Sequence, residues 1–356
     1  VSDLTDNTSL LGGGGGSFEA VASGSLSDGS TVVLNADGTV SVVAETTVIL
    51  GTENIVNDFR SDASRSLYIP SIGKVIIIYG YPMTAVVGTV SGSNISFGTP
   101  TLLDIANIND ALLFDLAYDE SQSKLVVAYR SSSYIASVKL GTISGDSISF
   151  GAETTLNSSN GNLVQGIRIT YDTSVGKPVV AYGVGDLKAV VLIISGASVT
   201  LGSTTSTSSY SGSIPRGMHF DSLNNKIVIM FSGSDGGWQF RAIVGTVSGT
   251  SISFGAITSI SNANTSWSAS VFDTNLNKVV AIYRKGSNFY GVARVGTVSG
   301  TSISFGDEII FLSSSFYPAA SPGTFDSVNN KIVFTGQTNT GSQVFSGTIS
   351  GSSITF

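Results

Sequence analysis

The chain has 356 residues, a formal net charge of −7, 41% apolar residues, only 12% charged residues and no cysteine. Without cysteine there is no disulfide framework, no thiolate metal site and no cysteine nucleophile. The negative charge removes the attraction that supplies most non-specific nucleic-acid affinity, and no basic stripe with interleaved aromatics offsets it, so no nucleic acid is expected as a partner.

With few ions and many Gly, Ser and Thr residues, the surface must be wetted by hydroxyls and backbone amides, which suits a virion or extracellular setting better than the cytosol. The mean hydropathy is positive. Yet the longest apolar runs, 75–79 and 189–194, fall far short of the roughly 20 residues that cross a bilayer. They read as buried strands, and no membrane insertion is expected. The chain opens on Val1 without a signal-peptide pattern, so a processed or trimmed start is expected.

Residues 1–17 are polar and include a run of five glycines at 12–16, which has too much backbone freedom to hold a strand or helix unaided and reads as a flexible arm. Within 18–45, two β-rich runs, 30–34 and 39–43, flank Asp37 and Gly38. That pattern predicts a β-hairpin.

From 46 to 356 one unit recurs six times, each copy closing on Gly-Thr-Val-Ser-Gly followed by Ile-Ser-Phe or a variant of it. The closing residues Phe97, Phe150, Leu201, Phe254, Phe305 and Phe356 are separated by 53, 51, 53, 51 and 51 residues. Turn residues cut each copy into four strands; in the fifth these are 268–272, 278–283, 291–299 and 302–311. An Asp opens the first turn and a Lys closes it five residues later, as in Asp119 to Lys124 and Asp273 to Lys278, with only the first copy departing. The Asp can accept bonds from amides a residue or two ahead, and the Asn or Gly that usually precedes the Lys tolerates positive φ. The second strand is continuously apolar, as in 227–230, which is the pattern of a strand covered on both faces. An aromatic caps it in five copies (Tyr79, Tyr129, Tyr182, Phe231, Tyr283), whereas the sixth has Gly336.

A four-stranded sheet that is apolar on both faces needs a neighbour on each side. Arranging such sheets in a circle supplies them, so the expected fold is all-β, a six-bladed β-propeller. A parallel β-helix fits less well, because its coils take roughly 20–30 residues. A strand at 48–55 aligns with 95–102 and is expected to seal the sixth blade, with a seventh blade built partly from 20–57 as the alternative.

In this strand order the loops joining strands one to two and three to four share one face, and these are the near-identical turns. The other face collects loops that differ in every copy, and with them both tryptophans. The candidate ligand-binding residues there are Tyr81, Tyr134, Tyr210, Trp238, Trp267, Phe289, Tyr290, Phe316 and Tyr317. Aromatics beside Asn, Ser, Asp and Gly suit a sugar or a protein partner, because a rigid plate stacks while amides and hydroxyls hydrogen-bond. The competing reading is that each ring tucks under its own loop.

Catalysis has less support. The single histidine, His219, ends a first strand and reads as a packed residue, and no Gly-x-Ser-x-Gly elbow is present. Asp110, Asp186 and Asp235 read as loop and turn acids rather than a glycosidic pair. No His, Cys or Asp cluster has metal-ligand spacing, and neither a metal nor another cofactor is expected.

The units built on Val-Gly-Thr-Val-Ser-Gly-Thr-Ser-Ile-Ser-Phe-Gly and Phe-Asp-x-x-x-Asn-Lys-Val-Val, preceded by the hairpin sequence, resemble repeats of tail-fibre and other virion appendage proteins of marine tailed bacteriophages over about residues 20–356. The resemblance implies a blade scaffold and a virion or exported setting, and carries over no functional residue. The resulting expectation is a non-enzymatic appendage that recognises a host surface glycan or protein through the variable loops, contacts other virion proteins through 1–45 and forms a homo-oligomer. The alternatives are a filament or decoration subunit assembling through its arm, and a propeller glycan hydrolase or lyase.

Overall fold

The computed structural model describes residues 21–22, 32–34, 39–42, 63–80, 82–103, 110–157, 163–207, 212–233, 238–263, 265, 267–287 and 289–356. The glycine run, the strand expected at 48–55, Tyr81, Tyr210 and Asp235 lie outside them. The chain divides into two units, Val1–Thr52 and Glu53–Phe356. In the first, Val32–Leu34 pairs antiparallel with Thr39–Val42, the hairpin the Asp-Gly turn predicts. A short strand, Val21–Ala22, adds parallel to the second hairpin strand.

The second unit is a six-bladed β-propeller whose sheets span 64–102, 114–155, 167–206, 214–261, 268–312 and 316–355. Two turns set this pattern, the first built on an Asp in blades two to six and the second repeated in every blade. In the first, the Asp carboxylate accepts backbone N–H groups two and three residues ahead, as Asp273 does from Asn275 and Leu276, both at 2.9 Å. The residue before the Lys is left-handed in all six copies, from Gly73 at φ 64° to Asn330 at φ 53°. In the second, the Gly of Val-Ser-Gly is left-handed as well, as at Gly249 (φ 61°) and Gly300 (φ 58°). Both turns therefore close locally.

The second strands of blades two to five are buried on both faces, as Ile227 through Phe231, all fully inaccessible, show, whereas that of blade six alternates and leaves Thr335 and Gln337 exposed. Successive sheets share one apolar layer each. Ile76 and Ile78 of blade one pack with Phe114 and Leu116 of blade two, and Val280 and Ile282 of blade five pack with Phe316 and Phe334 of blade six.

The expected fourth strand is broken in two. In blade five, Ser302–Phe305 and Ile309–Leu312 pair with different parts of the third strand, Tyr290–Ser299. The break falls at Gly306, where the next blade's turn presses in: a Cβ there would lie 2.0 Å from the Ser352 carbonyl oxygen. Gly98, Gly202 and Gly255 meet the following blade in the same way, at 1.7, 1.8 and 1.9 Å. In blades one, three, four and five the glycine that ends the blade is thus a point at which neighbouring blades touch, whereas Gly151 of blade two has only its own Leu140 carbonyl near, at 3.8 Å. Blade six has four strands among the described residues, without the short fifth segment of the other five.

Candidate functional site

The loop face is built by a tie that recurs in four blades. The loop between strands two and three offers a carbonyl, and the segment leading into the next blade offers a backbone N–H. Val164 donates to Tyr134, Ser213 to Gly185 and Thr265 to Trp238, each at 3.0 Å, and Phe316 donates to Phe289 at 2.9 Å. The donor's side chain points inward every time, since Val164, Ser213, Thr265 and Phe316 are all buried.

This arrangement corrects one candidate: Phe316 is fully buried and presents no ring to solvent. Its ring fills the place that the capping aromatic takes in the other blades, and a Cβ on Gly336 would lie 2.2 Å from it. Around it stand Phe311 at 4.9 Å and Phe345 at 5.6 Å between ring centroids. Tyr290 is half-buried and packs on the apolar layer between blades four and five, so it too faces inward.

Three other candidates come together between blades five and six. Trp267 is 47% exposed and meets Tyr317 edge to face at 5.7 Å. Phe289, 39% exposed, lies 6.3 Å from Tyr317. The Arg284 guanidinium sits between them, 4.4 Å from the Phe289 ring and 4.7 Å from Tyr317. Such cation–π contacts contribute roughly 0.5–1 kcal/mol each at exposed sites, and here they brace two plates at once. Beside the cluster opens a cleft of about 800 Å³ lined by Trp267, Tyr317, Pro318, Gly336, Gln337 and Asn339, together with Thr335, Thr338 and Ser342. None of its lining side chains is charged.

Tyr134 and Trp238 lie in the corresponding loops of blades two and four. Tyr134 is 50% exposed and stacks on Arg130 at 5.2 Å; Trp238 is half-buried.

At the inner strands the polar groups bind each other. Arg168 Nε donates to the Arg216 carbonyl at 3.3 Å, and its Nη1 donates to the Leu112 carbonyl at 3.3 Å, tying blades two, three and four. Arg65 donates to the Ala111 carbonyl and lies 3.5 Å from Asp115. Burial lowers the Arg168 pKa to about 9, assisted by the Arg65 charge. His219 Nε2 is 2.7 Å from Ser270 Oγ and its ring stacks on Phe272 at 5.8 Å. Desolvation, followed by the Arg168 charge, brings its pKa down to about 4, so it is neutral near pH 7. Asp110 Oδ1 accepts from the Leu112 amide at 2.8 Å and caps a single 3-10 turn, Ala111–Leu113. Asp186 opens the third strand of blade three, Asp186–Ser195. Among the described residues no three His, Cys, Asp or Glu side chains are grouped as a metal site would require.

No family model and no curated protein matches the chain. Solved structures do. The NanB sialidase of Streptococcus pneumoniae is 10% identical over 82% of this chain and 68% of its own, with a TM-score of 0.56. A candidate 6-phosphogluconolactonase of Bacteroides uniformis is 10% identical over 87% of both chains, with a TM-score of 0.54. Another from Bacteroides fragilis is 12% identical over 79% of this chain and 82% of its own, at 0.52. At these identities the likeness shows the fold alone.

Proposed function

We propose that the propeller is a non-enzymatic recognition module, of the tail-fibre or spike kind that the repeats resemble, and that its variable-loop face holds a host surface glycan. The observation that carries this reading is the cleft between blades five and six. There an exposed indole and a braced pair of rings stand beside Gln337, Asn339, Thr338 and Ser342. Flat apolar plates beside amides and hydroxyls match a pyranose, whose C–H face stacks while its hydroxyls hydrogen-bond. The volume of about 800 Å³ lies within the usual range for ligand clefts, about 300–1,000 Å³.

The activities named for the neighbouring structures are not needed. The cleft lining contains no carboxylate, histidine or arginine, so the groups that turn a sugar site into a hydrolase are not among its walls.

The experiment is a glycan array probed with the full chain and with Trp267→Ala and Tyr317→Ala. The reading expects binding to a subset of glycans and its loss in both variants. Wild-type binding that neither substitution changes would refute the cleft as the site, and release of reducing ends from a bound glycan would refute the non-enzymatic assignment.

A further inference from the structure

The loops of the binding face differ in length, yet they share one position. In blades one to five the third-strand residue paired with the closing residue of the repeat is Gly88, Gly141, Leu192, Gly245 or Gly296. Gly347 takes this place in the sixth copy. Seven residues before each stand Tyr81, Tyr134, Gly185, Trp238, Phe289 and Thr340. Four of the six are aromatic.

In blades two to five this residue has left-handed backbone, with φ of 61° at Tyr134, 67° at Gly185, 56° at Trp238 and 61° at Phe289. Its carbonyl is the acceptor of the tie described above. Gly185 satisfies both demands without a side chain, so the backbone has no need of a ring there. Seven described non-glycine residues have positive φ. Ser123, Asn225, Asn277 and Asn330 close the Asp turns, and the other three are these rings. Bulky residues are strained in this region, and strain retained at three loop rings, Tyr134 and Phe289 exposed and Trp238 half-buried, points to function. Two of the rings also rest on a guanidinium, Tyr134 on Arg130 and Phe289 on Arg284.

We propose that these rings are equivalent contact points, at most one to a blade, for a repeating saccharide, so that the propeller grips its ligand multivalently. Tyr134, Trp238 and Phe289 supply the points in blades two, four and five, and Tyr81 holds the same position in the sequence of blade one. The proposal rests on the glycan reading above and adds valency to it. Linked weak sites raise apparent affinity by roughly 10²–10⁴-fold without any new contact, which suits a chain that meets a surface densely covered in one polysaccharide.

The test uses Tyr134→Gly, Trp238→Gly and Phe289→Gly, singly and together, because glycine preserves both φ and the tie. The full chain is passed over surfaces coated with purified lipopolysaccharide, capsular polysaccharide and laminarin, and is titrated by calorimetry with short oligosaccharides cut from whichever is bound. The expected result is a graded loss: each single variant lowers retention on the polymer and reduces the oligosaccharide stoichiometry by one. The triple variant should lose roughly 10²–10⁴-fold of the polymer affinity. Unchanged stoichiometry in all three variants, with Trp267→Ala alone abolishing binding, overturns multivalency and leaves the single cleft in place. A wild type that binds no polysaccharide overturns the glycan reading itself, and the valency with it.

Discussion

Replacing Tyr134 by glycine should leave stability almost untouched, although it removes a whole aromatic side chain. Tyr134 sits at φ 61°, and an L-residue pays about 1–2 kcal/mol for left-handed backbone that glycine does not. Against this stand the stack on Arg130 at 5.2 Å, about 0.5–1 kcal/mol at an exposed site, and the extra freedom glycine gives the unfolded chain, about 0.4–1 kcal/mol. The terms nearly cancel, so the net change should lie within about 1 kcal/mol of zero. A buried ring behaves differently: Phe316, fully inaccessible and in contact with Phe311 at 4.9 Å, should cost about 3–5 kcal/mol when cut to alanine. Differential scanning calorimetry of both variants beside wild type measures the contrast. Tyr134→Gly should shift the melting temperature by less than about 4 °C, with Phe316→Ala well below it. If Tyr134→Gly falls as far as Phe316→Ala, the ring is a packing group and its strain has a structural cause.

Three further outcomes test the blade contacts, the Asp turn and a half-buried brace. Gly255→Ala puts a Cβ 1.9 Å from the Thr301 carbonyl oxygen of the next blade, so it should destabilise by about 1–3 kcal/mol as overpacking does, measured by urea unfolding. Asn277→Gly at φ 51° should be close to neutral in the same assay, whereas Asp273→Ala should cost about 1 kcal/mol through its lost amide bonds. Glu308 is a pH-dependent brace. Desolvation raises its pKa, but hydrogen bonds from Lys285 and Tyr283 and the charges of Lys285 and Arg294 outweigh that and hold it below its ordinary 4.5. A depressed carboxylate stabilises the fold above its unfolded pKa, and that contribution fades as pH falls through the folded value. The melting-temperature gap between wild type and Glu308→Gln should therefore be full at pH 7 and shrink below about pH 4.5; a gap that widens in acid contradicts it.

The scaffold was legible because its turns are chemical words. Asp221 fixes its turn through its own carboxylate, and Asn225 and Gly249 fix theirs through φ, whatever surrounds them. Period and turn spacing then yield six leaves. The broken fourth strand escaped because the cause of the break at Gly306 is the neighbouring blade's Ser352, a contact no local pattern records. Phe316 escaped for a related reason: its inward direction is set by the backbone tie to Phe289 and by the space above Gly336. The shared aromatic position was present in the sequence but hidden by the direction of counting. From the capping aromatic forward it falls five residues on at Tyr134, seven at Trp238 and six at Phe289, whereas back from the third-strand glycine it is always seven. Loop-length variation lies wholly on one side of it.

Trp238 and Trp267 are the chain's two tryptophans, and both stand at the loop face, one at the shared position and one at the cleft. Intrinsic fluorescence therefore reads that face without a label. Titrating wild type and Trp238→Gly with a glycan bound in the array should change indole emission in both, because each retains Trp267 at the cleft. A glycan that binds both by calorimetry while leaving their emission unchanged would contradict recognition through this face.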